Sequence, residues 1–286
     1  MAPERLVVEA PAKLNLFLRV LAREADGYHG IETLFCRIDL SDRLELVRTE
    51  AAGVSLRVTG ADTGPAEDNL AVRAARMVLG ATGEPFGVAI DLTKRIPVKA
   101  GLGGGSSDAA AALVGVNRLA GNPVPRHELL QFAARLGSDV PFFVSEAPLA
   151  LAWGHGERLL RLSPLAPRPG LLIIPPATIA TPEAYGWVDE GRGGARRGSV
   201  AMTTDTLGGW SDVARLAGND FEAPVFARHP EVRQAFEALA GTGPQLCRMS
   251  GSGAAVFAVY RDSPTRDEAR SVVATRHGRT AAFATG

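Results

Sequence analysis

A glycine-rich segment near the middle of the chain has the composition of a phosphate-binding loop. Residues 97–108 read Pro-Val-Lys-Ala-Gly-Leu-Gly-Gly-Gly-Ser-Ser-Asp. Glycine allows a backbone to turn sharply and to approach a ligand closely. Ser106, Ser107 and Asp108 are predicted to start a helix that the alanine-rich stretch 109–120 continues. The first N–H groups of a helix lack internal partners and carry partial positive charge. Glycines that lead into a helix start, with the hydroxyls of Ser106 and Ser107 beside them, predict a cradle for nucleotide phosphates.

Two common nucleotide-binding loops are excluded by single residues of this segment. A Walker loop needs Lys followed by Ser or Thr after its last glycine, whereas Gly105 is followed by two serines. A dinucleotide-binding fingerprint that began at Gly101 would need glycine at position 106. A flexible linker or a plain helix cap remains the structural alternative to a phosphate cradle.

Two charged residues far from the loop are candidates for chemistry. Lys13 opens residues 13–20, Lys-Leu-Asn-Leu-Phe-Leu-Arg-Val, whose alternating leucines predict a half-buried strand with Lys13 and Asn15 on one face. Asp139 lies in Gly-Ser-Asp-Val-Pro, at a predicted helix start. Alone, Lys13 could be a solvated surface lysine and Asp139 an ordinary N-cap worth about 1 kcal/mol. Local sequence does not separate catalysis from these structural roles.

Composition limits the classes of function. The chain has 286 residues, 46% of them hydrophobic and 22% charged, with a formal net charge of zero. Zero net charge argues against broad binding to nucleic acid or anionic membrane, so any phosphate site must be local. No apolar run approaches the length of a membrane-spanning helix, and the first residues lack the apolar stretch of a signal peptide.

The cysteines and histidines predict neither disulfides nor a metal site. Cys36 and Cys247 are the two cysteines, and we expect buried free thiols in a cytoplasmic protein. The five histidines have no metal-ligand spacing with cysteine or with one another.

The predicted elements indicate an α+β protein. Strands and helices are mixed without strict alternation, which favours two α+β layers over a doubly wound parallel sheet. A helix is predicted over Asp68–Leu79, capped by Asp68 and ended by Gly80. The proline-rich stretch 163–170 predicts a linker between domains at 1–164 and 165–286, and Gly191–Ser199 predicts a surface loop.

Three separated segments resemble motifs of the GHMP kinase family. They are Pro11-Ala-Lys-Leu-Asn-Leu16, Pro97–Ser107 and Ser250-Gly-Ser-Gly253. The resemblance implies a two-domain fold, with an N-terminal unit of the ribosomal protein S5 domain 2-like type and a C-terminal ferredoxin-like α/β sandwich. It also implies an ATP-dependent kinase that phosphorylates a small-molecule hydroxyl.

Three further segments indicate which acceptor the resemblance implies. Asp26-Gly-Tyr-His29, Leu136–Phe143 and Thr181-Pro-Glu183 are similar to the member that phosphorylates the 2-hydroxyl of an alcohol carrying cytidine diphosphate. That reaction belongs to the non-mevalonate pathway to isoprenoid precursors. The implied protein is cytoplasmic, and is a monomer or weak homodimer.

The resemblance also implies roles for individual residues. Lys13 and Asp139 would meet beside the acceptor hydroxyl as the catalytic pair, with Asp139 accepting or orienting the proton. The implied substrate-binding residues are Asn15, Tyr28, His29, Asp139, Thr181 and Tyr185, with Tyr28 and Tyr185 stacking on cytosine. The implied ATP-binding residues are Asn69, Leu70, Lys94, Pro97, Lys99, Ala100, Gly101, Leu102, Gly103, Gly104, Gly105, Ser106 and Ser107.

One departure and one gap accompany the resemblance. Lys99 stands where a small residue is expected, so the backbone geometry at the loop entrance departs from the pattern or Lys99 projects outward. Mg²⁺ is expected with ATP, yet no multi-carboxylate site is legible in the sequence.

Two other functions fit part of the same evidence. Another GHMP kinase, for homoserine, mevalonate or a sugar, would keep the loop but lack the cytosine pocket. A non-catalytic nucleotide-binding module would leave Lys13 and Asp139 as surface charges. Nucleic-acid binding on a similar fold is disfavoured by the zero net charge.

Overall fold

The described residues of the computed structural model are 3–25, 27–83, 86–192, 201–273 and 277–286. They form two compact units. The first unit comprises Met1–Ala12, Leu40–Val98 and Gly103–Ala147, and the second comprises Lys13–Asp39, Lys99–Leu102 and Pro148–Gly286. Two long strands, β1 (Arg5–Arg23) and β2 (His29–Thr49), contribute residues to both units. Asp26 and most of the loop predicted at Gly191–Ser199 lie outside the described residues, and a domain boundary near residue 164 stays a prediction.

The first unit places helices beside a small sheet. Its strands are β3 (Val54–Thr59), β4 (Gly87–Thr93) and the end of β2, in the order β3-β4-β2. The β3 strand is parallel to β4, and β4 is antiparallel to β2. The helices are α1 (Leu70–Thr82), α2 (Gly104–Leu119), α3 (Arg126–Leu136) and α4 (Val140–Ser145).

Helix α1 begins and ends later than predicted. Asn69, not Asp68, is the N-cap, because its side-chain oxygen accepts a hydrogen bond from the Ala71 N–H at 2.9 Å. Asp68 lies in a preceding 3₁₀ turn. Gly80 is inside the helix, and Gly83, in the left-handed region with φ 61°, ends it.

The second unit contains two groups of strands. The start of β2 pairs antiparallel with β5 (Leu149–Gly154), which pairs antiparallel with β6 (Arg158–Leu162). A four-stranded antiparallel sheet has the order β10-β7-β9-β8. Its strands are β7 (Pro169–Ile174), β8 (Leu246–Met249), β9 (Val256–Val259) and β10 (Arg279–Ala284).

Helices of the second unit cover that sheet. They are α5 (Thr181–Arg192), α6 (Trp210–Leu216), α7 (Glu222–Arg228), α8 (Pro230–Ala240) and α9 (Ser263–Val273). The core between helices and strands includes Ile173, Val232, Leu239 and Val256, each fully buried. Sheets with helices packed on them in both units confirm the predicted α+β class.

The β1 strand differs from the half-buried strand that its alternating leucines predict. Leu14 and Leu16 are fully buried, but the opposite face is buried too: Lys13 is 3% exposed, Asn15 2% and Arg19 4%. The expectation of one solvated face is wrong because other segments of the second unit cover the polar side chains. Alternation along a strand shows which side chains are polar. It does not show that they are exposed, because polar side chains with hydrogen-bond partners can also be buried.

Candidate active site

Three of the motif segments meet around one backbone carbonyl of the second unit. The Lys13 ammonium donates to the Gly101 carbonyl at 2.9 Å and to the Asn15 side-chain oxygen at 2.6 Å. The Ser250 hydroxyl donates to the same Gly101 carbonyl at 2.9 Å. The Lys13 ammonium also lies 5.3 Å from the centre of the Phe35 ring, an arrangement that favours a cation. A lysine, a glycine-rich segment and a distant serine therefore form one buried hydrogen-bond network.

Asn15 holds this network together from inside the protein. Its side-chain oxygen accepts a second hydrogen bond, from the Gly251 N–H at 2.9 Å. Its amide nitrogen donates to the Thr33 hydroxyl at 2.8 Å, which donates to the Phe17 carbonyl at 2.6 Å. These contacts orient the amide, so the structure places Asn15 as a support for Lys13.

The entrance of the glycine-rich segment contains an unusual backbone conformation. Lys99 has φ 56° and an exposed side chain, so a non-glycine residue occupies the left-handed region. Gly101 has φ 77°, and a Cβ there would lie 2.1 Å from the Ser250 carbonyl oxygen. The loop therefore tolerates Lys99, which projects outward, but requires glycine at 101.

Helix α2 begins earlier than predicted, within the glycines. Gly103 is its N-cap with φ 73°, and Gly104 and Gly105 belong to its first turn. The Ser107 N–H bonds to the Gly103 carbonyl at 2.9 Å, so the N–H groups of 103–106 are those that a helix start leaves for a ligand. Gly105 is exposed and Ser106 partly exposed.

Ser107 carries an unpaired hydroxyl at this helix start. The residue is 1% exposed, and its oxygen has no hydrogen-bond partner among the described residues. A buried hydroxyl without a partner is costly, so a ligand oxygen or ion at the loop would satisfy it.

The remaining ATP-site candidates differ in their local structure. Asn69 caps α1 and Leu70 is its first residue. Pro97 is partly buried, and Ala100 and Leu102 are almost fully buried. Lys94 is 7% exposed and its ammonium bonds to the carboxylates of Asp42 and Asp108. Sequence reasoning assigned no role to Asp42, which lies outside every motif, or to Asp108, which ends the glycine-rich segment.

Asp139 lies in the first unit, directly before α4. Its side chain makes no capping hydrogen bond to that helix, and the residue is partly exposed. The alternative that Asp139 serves as an ordinary helix cap is therefore not realised. Lys13 belongs to the second unit.

Two candidates for base recognition, His29 on β2 and Tyr185 on α5, are in contact in the second unit. The His29 and Tyr185 rings stack, with centroids 4.9 Å apart and an interplanar angle of 12°. His29 is 8% exposed, and its Nε2 lies 2.8 Å from a carboxylate oxygen of Asp189. Because a carboxylate only accepts, neutral His29 carries its proton on Nε2 and offers Nδ1 as an acceptor. Sequence reasoning missed Asp189, although its spacing from Tyr185 puts both on one helix face.

Tyr28 and Thr181 lie elsewhere in the second unit. Tyr28 is 66% exposed, and its ring stacks with that of His155 at a centroid distance of 5.2 Å. Thr181 is the first residue of α5, and its hydroxyl oxygen is 2.9 Å from that of Ser252. The Ser250–Gly253 segment thus contacts the start of α5 as well as Gly101.

The described residues lack two features that would indicate a metal ion or a membrane as a partner. Those residues include no group of three or more His, Cys, Asp or Glu side chains that could hold a metal ion. None of the described helices is long and apolar enough to cross a membrane. Cys36 and Cys247 are buried free thiols as expected, and burial raises the pKa of the Cys36 thiol to about 12.

Comparison with family models gives the class of protein. Residues 69–147 match the model of the GHMP kinases N terminal domain, and residues 204–280 match that of GHMP kinases C terminal. Together the two matched segments cover more than half of the chain. The chain belongs to the GHMP kinase family.

Curated relatives narrow the resemblance to one kind of GHMP kinase. A 4-diphosphocytidyl-2-C-methyl-D-erythritol kinase of Pelotomaculum thermopropionicum is 41% identical over 95% of this chain and 93% of its own length. A protein of the same name from Geobacter sp. is 36% identical over 96% of both chains.

Solved structures agree with this pattern. The crystal structure of a 4-(cytidine 5'-diphospho)-2C-methyl-D-erythritol kinase has a TM-score of 0.81 and 35% identity, covering 98% of this chain and 99% of that one. A homoserine kinase from Cytophaga hutchinsonii has a TM-score of 0.74 and 19% identity, covering 100% of this chain and 96% of that one, which shows a shared fold alone.

Alanine should have different effects at two glycines of the loop, Gly101 and Gly105. Gly101→Ala should lower the free energy of unfolding by about 1–3 kcal/mol, because a Cβ meets the Ser250 carbonyl and φ is positive. Gly105→Ala should fold normally, because its Cβ would meet no atom within 4 Å, yet it should weaken ATP binding by narrowing the cradle. Urea unfolding and calorimetry with ATP measure the two effects. Equal stability of the two variants would contradict the Gly101 geometry.

Proposed function

We propose that this protein transfers the γ-phosphoryl group of ATP to the 2-hydroxyl of 4-diphosphocytidyl-2-C-methyl-D-erythritol. The observation that carries the proposal is the convergence of Lys13, Gly101 and Ser250 in one buried network. This network brings together three motifs that are far apart in sequence, as a site that binds a nucleotide and an acceptor requires. The names of the relatives with about 40% identity support the choice of acceptor.

ATP phosphates would bind at the start of α2. The N–H groups of residues 103–106 and the partial positive charge of a helix start favour them. Ser107 supplies a hydroxyl with no protein partner among the described residues, and Asn69, Leu70 and the segment from Pro97 to Leu102 are proposed to border the nucleotide.

Mg²⁺ is proposed to enter with ATP. Because the described residues contain no cluster of metal ligands, phosphate oxygens and water would supply most of its coordination, as is usual for this ion. The Ser106 and Ser107 hydroxyls or Asp139 are the side chains proposed for contact with it, directly or through water. When bound, the ion neutralises phosphate charge.

Lys13 and Asp139 are proposed as the catalytic residues. Asp139 would orient the acceptor hydroxyl and accept its proton, which can leave late because the transition state of phosphoryl transfer is loose. Lys13 would neutralise charge that develops on the phosphoryl oxygens, and its contacts with Asn15 and Gly101 hold the ammonium in place.

The cytosine ring is proposed to bind beside His29. The Nδ1 of His29 would accept a hydrogen bond from the exocyclic amine of cytosine. Uracil has a carbonyl oxygen in place of that amine. Tyr28 and Tyr185 supply aromatic faces for stacking, and Thr181 is proposed to bind the substrate. In this proposal the protein is cytoplasmic, works as a monomer or weak homodimer, and divides functionally near residue 164.

An acceptor assay tests the function. ATP consumption is measured with 4-diphosphocytidyl-2-C-methyl-D-erythritol, homoserine, mevalonate and no acceptor. Turnover with the diphosphocytidyl alcohol, inhibited by CDP, is the expected result. Turnover with homoserine or mevalonate alone would overturn the acceptor assignment, and ATP binding without turnover on any of them would favour a nucleotide-binding module.

Asp139→Asn should lower kcat by roughly 10²–10⁴-fold, because the amide cannot accept the hydroxyl proton. Affinity for ATP, measured by calorimetry, should be unchanged. Glu128→Gln, an exposed substitution in the first turn of α3, is the control and should keep full turnover. Near-normal kcat in Asp139→Asn would contradict the assignment.

Asp189→Asn should raise KM for the cytidine substrate about tenfold while kcat changes little, since one oriented hydrogen bond is lost. The Asn amide can donate to Nε2 and thereby move the His29 proton to Nδ1, so discrimination of CDP from UDP should fall too. Glu190→Gln, which removes an exposed pair with Arg228, is the neighbouring control. Unchanged CDP and UDP affinities in Asp189→Asn would exclude this role of the His29 tautomer.

A further inference from the structure

A buried cluster of three charged residues lies in the first unit, outside the residues proposed for chemistry. Asp42 is 0% exposed, Lys94 7% and Asp108 3%. The Lys94 ammonium donates to one oxygen of Asp42, and to one oxygen of Asp108 at 2.7 Å. Buried charges are costly unless they are paired and hydrogen-bonded. The role of this cluster therefore has to follow from where it lies relative to the glycine-rich segment.

Asp42 fixes the chain on the entry side of the glycine-rich segment. Its second oxygen accepts hydrogen bonds from the Arg95 N–H at 2.5 Å and from the Ile96 N–H at 2.8 Å. One carboxylate of β2 therefore holds the side chain of Lys94 and the backbone of the next two residues. Those residues directly precede Pro97, where the loop begins.

Asp108 and Lys94 fix the chain on the exit side. Asp108 follows Ser107 in α2, one turn beyond the first residue of that helix. A Cβ at Gly104 would lie 3.3 Å from the Lys94 ammonium and 3.0 Å from the Ile96 Cγ2. The ammonium and the Ile96 side chain thus lie directly against the first turn of α2, and the absence of a side chain at Gly104 permits this approach.

The cluster therefore ties both flanks of the loop to a single strand. The entry flank is bonded to Asp42, the exit flank is bonded to Lys94 through Asp108, and Lys94 is bonded to Asp42. An ammonium with 7% exposure and two carboxylate partners is already satisfied by protein groups. Lys94 would therefore affect a bound nucleotide through the conformation of the loop.

We propose that Asp42, Lys94 and Asp108 are positioning residues that hold the ends of the glycine-rich loop in its ATP-binding conformation. This rests on the ATP-binding part of the proposed function, and it gives Lys94 an indirect role. Without the cluster, the first turn of α2 and the residues before Pro97 would separate more easily, and the N–H groups of 103–106 would lose their common alignment.

Lys94 holds two buried carboxylates together. Burial raises the pKa of the Asp108 carboxyl to about 7; the Lys94 charge opposes the rise and the Asp42 charge adds to it. Among the described residues, Lys94 and Asp42 are the charged groups that act on this carboxyl. Loss of the Lys94 charge would leave two buried carboxylates close together, which disfavours the present arrangement of both loop flanks.

The test compares Lys94→Met and Asp108→Asn with the control Asp91→Asn, which removes an exposed pair with Arg57 on β4. The dissociation constant for ATP is measured by calorimetry, and KM for ATP, KM for the alcohol and kcat by turnover. We expect Lys94→Met to raise the ATP constants by about tenfold or more, because one buried charge loses its partner. KM for the alcohol and kcat per folded molecule should stay within about twofold, and the control should match the native protein.

Three results decide the proposal. A cluster with a purely structural role would lower the folded fraction and hence apparent kcat, leaving both ATP constants unchanged, and that result would overturn it. Asp108→Asn weakens the bond to Lys94 at constant side-chain size and should raise the ATP constants about threefold or more. Unchanged ATP constants in this variant would overturn the proposal as well, and this arm remains decisive if Lys94→Met does not fold. Native protein that binds ATP but phosphorylates no diphosphocytidyl alcohol would defeat the proposed acceptor and leave the positioning role intact.

Discussion

The proposed catalytic site depends on the Gly101 carbonyl, because hydrogen-bond donors from two distant parts of the chain share this oxygen. Lys13 and Ser250 both donate to this oxygen at 2.9 Å. The sharing leaves no room for a side chain at Gly101, where a Cβ would meet the Ser250 carbonyl at 2.1 Å. The need for glycine at 101 thus follows from close packing against Ser250 as well as from positive φ. This close packing holds the Gly101 carbonyl within hydrogen-bond distance of the Lys13 ammonium.

Asn15 supports a buried ammonium with a neutral side chain. Its side-chain oxygen accepts hydrogen bonds from Lys13 and from the Gly251 N–H, and its amide nitrogen donates to Thr33. Such a connected network keeps the ammonium in one place. Catalysis of phosphoryl transfer relies mainly on preorganised charge, so in the proposed mechanism Asn15 would contribute by holding Lys13.

The fold alone does not select the acceptor. A homoserine kinase and mevalonate kinases share this fold at 11–19% identity, so the same scaffold serves different hydroxyl compounds. In the proposed site of this chain, the surface that meets the acceptor includes the stacked pair of His29 and Tyr185. The contact with Asp189 sets which nitrogen of neutral His29 carries the proton, so Asp189 would contribute to that recognition through His29.

The sequence by itself determined the α+β class, the glycine-rich loop, the residues flanking it and the family, because these depend on local composition and on short motifs with fixed spacing. The predicted start of α2 was wrong by two residues. Glycines are poor helix formers, so composition does not place them in a helix. Tertiary packing of Lys94 and Ile96 against Gly104 favours the position of the glycines in the first turn of α2. The burial of Lys13 was likewise not legible. Alternating leucines specify one buried face, and coverage of the other face comes from the Ser250–Gly253 segment more than two hundred residues away. Asp42, Asp108 and Asp189 act through long-range contacts, so their roles were decided by the tertiary structure alone.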